Sequence, residues 1–165
     1  MGSPIFFTQL RSGKNKKPFA IYKFRTMHKS AEKLRYLLNT KNEAPFPMFK
    51  MENDPRFVGI GKWLSQIGFD ELPQLVNVLT GDMSLIGPRP LPVAEADLLD
   101  QSWDFRYSVR PGIFSEWIVD KKRHVSLNEW QRIEKKSLSS ASLWLDIFLI
   151  WRIICKLLLK MLRVF

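Results

Sequence analysis

One cysteine and two histidines among 165 residues rule out much of the chemistry open to chains of this size. Cys155 has no partner for an internal disulfide, and there is no Cys/His cluster with the spacing of a zinc site. A reducing, cytosol-facing setting follows. Acidic side chains are also in short supply: 26 Lys and Arg stand against 16 Asp and Glu, a net charge of +10. The partner expected is therefore acidic, whether nucleic acid, anionic lipid headgroups or a phosphorylated substrate. There is no internal repeat and no low-complexity linker, and the length suits one ordinary domain, taken as residues 1–165. Long uncharged apolar runs are missing too. The most hydrophobic stretch, "LWLDIFLIWRIICKLLLKMLRVF" (143–165), is interrupted by Arg152, Lys156, Lys160 and Arg163, which argues against a span buried in hydrocarbon.

What is present reads as an α+β domain. Pro4 to Leu10 and Phe19 to Phe24 are β-rich runs around a polar turn with Gly13 and Asn15, a small antiparallel hairpin. "SAEKLRYLLNT" (30–40) predicts a short helix with Ser30 at its N-cap. Residues 43–56 contain Pro45, Pro47 and "NDPR" and predict a loop, with Asn53 and Asp54 bonding back to the chain before Pro55. "GIGKWLSQI" adds one or two helical turns. At 100° per residue, the four C-terminal cations fall in a sector of about 80°, with Leu, Ile, Trp and Phe over most of the rest. This predicts an amphipathic helix over 143–165, lying at a membrane interface with Trp144 and Trp151 in the bilayer and Arg152, Lys156 and Lys160 toward anionic headgroups. A buried core helix with one wet edge is the alternative.

The segment "GFDELPQLVNVLTGDMSLIGPRP" (68–90) carries the chemistry. Asp70 fits an N-cap, Pro73 fits a first turn, and Leu72, Leu75, Val76 and Leu79 form an apolar stripe. Gly81 ends the helix, and the two prolines around Arg89 enforce an extended, stiff backbone. A helix N-terminus favours negative charge, so Asp70 and Glu71 are expected to stay ionised. One carboxylate can act as a nucleophile while its neighbour holds Mg²⁺ or accepts a proton. A rigid arginine can grip a phosphate bidentately. The pattern points to phosphoryl transfer, although an acidic first turn is also ordinary helix grammar.

Taken in order, "GSPIFFTQ", "GKNKKPFAIYKFRTM", "NDPRFVGIGKWL", "DELPQLVNVLTGDMSLIGPRP", "VRPGI" and "SLWLDI" resemble the motifs of the bacterial sugar transferase family, the monotopic polyprenyl-phosphate phosphoglycosyl transferases. The resemblance is close over residues 3–113 and looser beyond. It implies transfer of a sugar 1-phosphate from a UDP-sugar to a polyprenyl phosphate such as undecaprenyl phosphate. UMP is released, Mg²⁺ is required, and the setting is glycan assembly at the cytoplasmic face of the bacterial plasma membrane. On the same basis Asp70 is the nucleophile that forms a covalent phosphosugar intermediate, and Glu71 binds metal or deprotonates the lipid phosphate. Metal ligation falls to Asp70 and Glu71, and phosphate binding to Arg89, with Lys23, Arg25, Arg56 and Arg110 as further candidates.

Members carry a re-entrant membrane helix just before the first motif. This chain opens at that motif, so the helix is expected to be missing and the sequence to be a piece of a longer chain or a truncated member. Ser65 stands where the resemblance implies an arginine ahead of the dyad, and "FSEWIV" follows "RPGI" in an altered form. These departures keep open a degenerate relative that acts as a membrane-associated interaction protein. A nucleic-acid-binding domain is permitted by the charge alone, but no DNA or RNA motif supports it.

Overall fold

The computed structural model describes residues 4–116, 126–140 and 142–162, with side chains up to Leu159. The expected hairpin is present. Strand β1 (Phe6–Ser12) pairs antiparallel with β2 (Pro18–Phe24), Phe6 opposite Phe24 and Ser12 opposite Pro18. Alternation sends Phe19 and Ile21 of β2 into a core with Met83 and Ile113, and places Lys23 on that same inward face. Helix α1 (Ala31–Leu37) is shorter than the sequence predicts and gives way to a 3-10 turn at Asn39–Lys41. Ser30 sits at its N-cap position but makes no side-chain cap bond.

The 43–56 stretch is irregular, as its prolines require. Asp54 turns forward rather than back: it accepts from the Arg56 backbone N–H and from the Arg56 guanidinium, while Asn53 accepts from Lys62. Helix α2 (Gly61–Gln66) supplies the expected turn or two. Helix α3 spans Gln74–Leu79, and α4 spans Val93–Ala96. Between these two helices runs β3 (Ser84–Ile86), which pairs in parallel with β4 (Gly112–Phe114). This pairing is not among the elements expected above. It brings "GPRP" beside "RPGI", and Gly112 leaves no room for a Cβ against Gly87. A second core of Met48, Leu91, Ala96, Trp103, Tyr107 and Trp130 packs α4 and a 3-10 segment (Gln101–Tyr107) onto α5 (Leu127–Ser139).

Two helices are oriented against the simplest expectation. On α3 the inward residues are polar: Asn77 is 0% exposed, accepts from the Tyr22 N–H at 3.2 Å and donates to the Ala20 carbonyl at 2.8 Å, closing the free edge of β2. The stripe of Leu72, Leu75, Val76 and Leu79 therefore faces outward, with Leu79 88% exposed. Helix α6 (Leu143–Leu162) packs on β4 through Leu149 and Ile153 and turns Trp144, Ile147, Phe148, Trp151, Ile154 and Leu158 away from the body. At 100° per residue Arg152 and Lys156 lie in the sector around Leu149 and Ile153, on the protein side and flank. Among the described residues, no helix is long and apolar enough to cross a membrane.

Candidate active site

The dyad sits on a turn rather than at a helix cap. Gly68, with φ of 73°, reverses the chain after α2 in a left-handed conformation that glycine adopts without strain. The following 3-10 turn, Phe69–Glu71, carries both acids, with Pro73 at the N-cap position of α3. Phe69 stacks on Phe24, which stacks on Phe6, so the turn is tied to the hairpin. Asp70 is thus not the N-cap that the sequence suggested, and the two carboxylates point into different surroundings.

Asp70 is 6% exposed, and its Oδ1 has no hydrogen-bond partner. Burial pushes its carboxyl up to about 6, with Lys23 pulling down, Glu71 pushing up and Arg89 pulling down. Both acids remain ionised at neutral pH, but the cause is not the expected helix end: at Asp70 desolvation works against the charge. For Glu71, burial also pushes upward but is outweighed by Lys23 and Arg89, and the group is held at about 2. Its Oε1 accepts from Lys23 Nζ at 2.7 Å and from Arg89 Nη1 at 3.4 Å.

The Arg89 segment is fixed from several sides. Arg11 Nη1 donates to the Pro90 carbonyl at 3.0 Å, and Arg106 Nη2 donates to the Arg89 carbonyl at 2.7 Å. The Gly112 and Ser12 backbone N–H groups bond Pro88 and Leu91. Arg106 is itself buried against Trp130 and paired with Glu134 at 3.2 Å.

Two concavities meet at this point. A polar cavity of about 300 Å³ is lined by Arg11, Lys23, Arg35, Asp70, Arg89 and Glu95, among others. A wider open groove of about 1080 Å³ has apolar Phe69, Leu72, Leu75, Ile153 and Leu157 along one part of its lining and charged side chains, Lys50, Glu52, Asp54, Arg56 and Glu71 among them, along the rest. Asp70 belongs to the first and Glu71 to the second, while Arg89 and Ser65 border both.

The sequence-derived candidates divide accordingly. Asp70, Glu71, Lys23 and Arg89 come together. Arg56 borders both concavities, but its fork is spent on Asp54, at 2.6 Å from Nη2, and Nη1 donates to the Ala31 carbonyl. Arg25 lines the cavity while donating to the Pro4 and Phe6 carbonyls. Arg110 is exposed beside Gly81 and lines neither concavity. Trp144 and Trp151 are exposed on the outer face of α6, 81% and 59%. Arg152 pairs with Glu116 at 3.6 Å rather than pointing away from the protein, and Lys156 is partly buried. The side chain of Lys160, and Arg163 altogether, lie outside the described residues.

Arg11 was missed, although the alternation of β1 places it on one face with Phe7 and Gln9. Arg106 and Glu134 were missed too, and no local pattern marks them.

The described residues hold no cluster of three or more potential metal ligands among His, Cys, Asp and Glu. Two carboxylates, one with an orphaned oxygen, nonetheless suit Mg²⁺, a hard cation that completes its shell with phosphate oxygens and water.

The chain is 38% identical over 150 residues to a galactosyl transferase, CpsE, of Streptococcus agalactiae serotype III (strain NEM316), an alignment spanning 90% of this chain and 33% of that protein. It is 34% identical over 155 residues to an undecaprenyl-phosphate galactose phosphotransferase of Salmonella typhimurium, covering 92% of this chain and 33% of the relative. It is also 35% identical over 158 residues to a UDP-N-acetylgalactosamine-undecaprenyl-phosphate N-acetylgalactosaminephosphotransferase of Aeromonas hydrophila, covering 92% of this chain and 34% of the relative. The chain thus spans about a third of the length of these relatives. A family model described as bacterial sugar transferase matches residues 1–160, a stretch that takes in the dyad, both concavities and nearly all of α6, and the chain belongs to that family.

Proposed function

We propose that the protein moves a sugar 1-phosphate from a UDP-sugar to a polyprenyl phosphate such as undecaprenyl phosphate, releasing UMP, through a covalent phosphosugar on Asp70. The observation that carries this reading is the split of the dyad between a cation-lined cavity and a wider groove, one wall of which is the apolar set Phe69, Leu72, Leu75, Ile153 and Leu157. A soluble nucleotide sugar suits the first, a lipid chain suits the second, and Arg89 borders both.

Ionised Asp70 attacks the phosphorus that bears the sugar. The bond from that phosphorus to the uridine-side phosphate oxygen breaks, and UMP leaves with the electron pair. A phosphate oxygen of the lipid, arriving along the groove, then attacks the same phosphorus. The Asp70–phosphorus bond breaks, the carboxylate is restored, and the sugar is left on a lipid diphosphate. Lys23 and Arg89 balance the charge on the transferring group. Glu71, held at about 2, is a poor base at neutral pH, so of its two expected roles that of holding cations fits better. Asp70 and Glu71 would hold Mg²⁺ together with the substrate phosphates. The ion supplies neutralisation of phosphate charge.

The outward apolar faces of α3 and α6 support docking on a membrane surface, with the dyad at its level. The assignment to the cytoplasmic face of the plasma membrane rests on where a nucleotide sugar and a lipid phosphate meet. Ser65, which offers only a hydroxyl on the wall shared by both concavities, favours a second reading: a weakly active or inactive relative retained for its interactions.

The test is Mg²⁺-dependent UMP release from a panel of UDP-sugars with undecaprenyl phosphate in detergent, with Asp70→Asn beside the parent. Release by the parent alone supports the transferase. Silence from a folded parent with every sugar supports the second reading.

A further inference from the structure

Arg11 is a charged residue near the end of β1, opposite Phe19 in the hairpin, and it bridges to Pro92. One arm of its guanidinium is accounted for by the Pro90 carbonyl. Its Nε is buried without any partner, although leaving a buried donor unpaired is costly. Nearby carboxylates do not relieve it. Glu95 is taken by Arg35 at 2.6 Å and Glu71 by Lys23 and Arg89, and no ion pair to Arg11 occurs among the described residues. Burial first, and then the neighbouring charge of Arg89, push the Arg11 guanidinium down to about 10, so it stays protonated at neutral pH while sitting beside a second guanidinium. Among the described residues eight Lys and Arg side chains, with Arg11, Lys23, Arg35 and Arg89 among them, line this cavity against three carboxylates, Glu32, Asp70 and Glu95. The lining therefore carries surplus positive charge, and a phosphate would neutralise it.

We propose that Arg11 receives the phosphate of the departing nucleotide, making the Arg11 wall of the polar cavity a nucleoside-monophosphate subsite separate from the Lys23–Arg89 grip on the transferring phosphoryl group. The proposal rests on the UDP-sugar reading above. Its position argues for the nucleotide rather than the lipid: Arg11 lines the polar cavity and not the groove, whereas Arg89 borders both. In an in-line displacement the leaving oxygen lies opposite the attacking Asp70 oxygen, and the phosphate behind it gains charge as the bond breaks. A guanidinium with an unused donor suits that phosphate. The bond to Pro90 couples it to the segment that carries Arg89.

Calorimetric titration of the full chain in detergent with UMP and, separately, with uridine tests the assignment, using Arg11→Met, which keeps the apolar stem, and Arg11→Lys, which keeps the charge. The expected result is a loss of UMP affinity of about tenfold or more in Arg11→Met, a smaller loss in Arg11→Lys, and uridine affinity unchanged in both. Equal losses for UMP and uridine would mean a merely structural role and overturn the proposal, as would unchanged UMP binding. If Arg11→Met does not fold, Arg11→Lys decides, and parent-like UMP binding by it overturns the proposal. Weakened binding of undecaprenyl phosphate with UMP unaffected would place Arg11 on the lipid side and overturn it as well. A folded parent that binds no UMP refutes the UDP-sugar reading itself, an outcome visible before any variant is made.

Discussion

Asp70 and Glu71 are adjacent in the chain, yet burial pushes the first up to about 6 while Lys23 and Arg89 hold the second at about 2. Only ionised Asp70 can attack phosphorus, so kcat/KM is expected to fall about tenfold per pH unit below an apparent pKa near 6, measured as UMP release across pH 4.5–8. The same shift has a stability sign. A carboxyl raised from 3.8 to about 6 favours the folded state while protonated, and that contribution is lost as pH rises through the folded value. Asp70→Asn is therefore expected to abolish turnover and yet stabilise the protein by about 2 kcal/mol at pH 7.5, roughly 4–8 °C in Tm, with little change below pH 4. Scanning calorimetry at the two pH values checks it. The dyad and Arg89 were legible in the sequence because motif and rigid backbone are local features. The protonation behaviour of Asp70 was not, since its desolvation depends on how β2 and α2 pack around the turn that carries it. For the same reason Arg56 looked available until Asp54, two residues away, took its fork.

At the scale of elements, α3 has a polar inward face and an apolar outward one. The stripe of Leu72, Leu75, Val76 and Leu79 was readable from spacing, but which side it faced depended on Asn77 and on the open edge of β2. Asn77→Ala leaves the Tyr22 N–H and the Ala20 carbonyl unpaired. A destabilisation of about 2–4 kcal/mol is expected, read as a lower urea midpoint at unchanged m-value. Helix α6 makes a similar point: its amphipathicity was plain, but Arg152 turns to Glu116 and the apolar face turns away from the body. Binding to anionic vesicles should then depend more on apolar than on basic residues. Phe148→Glu with Trp151→Glu is expected to cut partitioning more than tenfold, and Arg152→Glu with Lys156→Glu to cut it less, in sedimentation with vesicles. The parallel β3–β4 pair was illegible because three-residue strands leave no periodicity to read.

At the scale of the whole molecule, the cation-lined cavity and the wider groove share a wall that includes Ser65, Arg56 and Arg89, and Asp70 stands on the cavity side while Glu71 stands on the groove side. The proposed reaction starts in the cavity and ends at the groove, and in it Asp70 holds the sugar phosphate between the two substrates. The most direct measurement is intact-protein mass spectrometry after incubation with the turnover-competent UDP-sugar and Mg²⁺ in the absence of lipid acceptor. The expected result is a species heavier by one sugar phosphate, with UMP released in equal amount. It should be absent in Asp70→Asn and discharged when undecaprenyl phosphate is added. UMP release that requires the lipid, with no adduct at any time on a parent that turns over, would contradict the covalent route and leave direct transfer between the two substrates in its place.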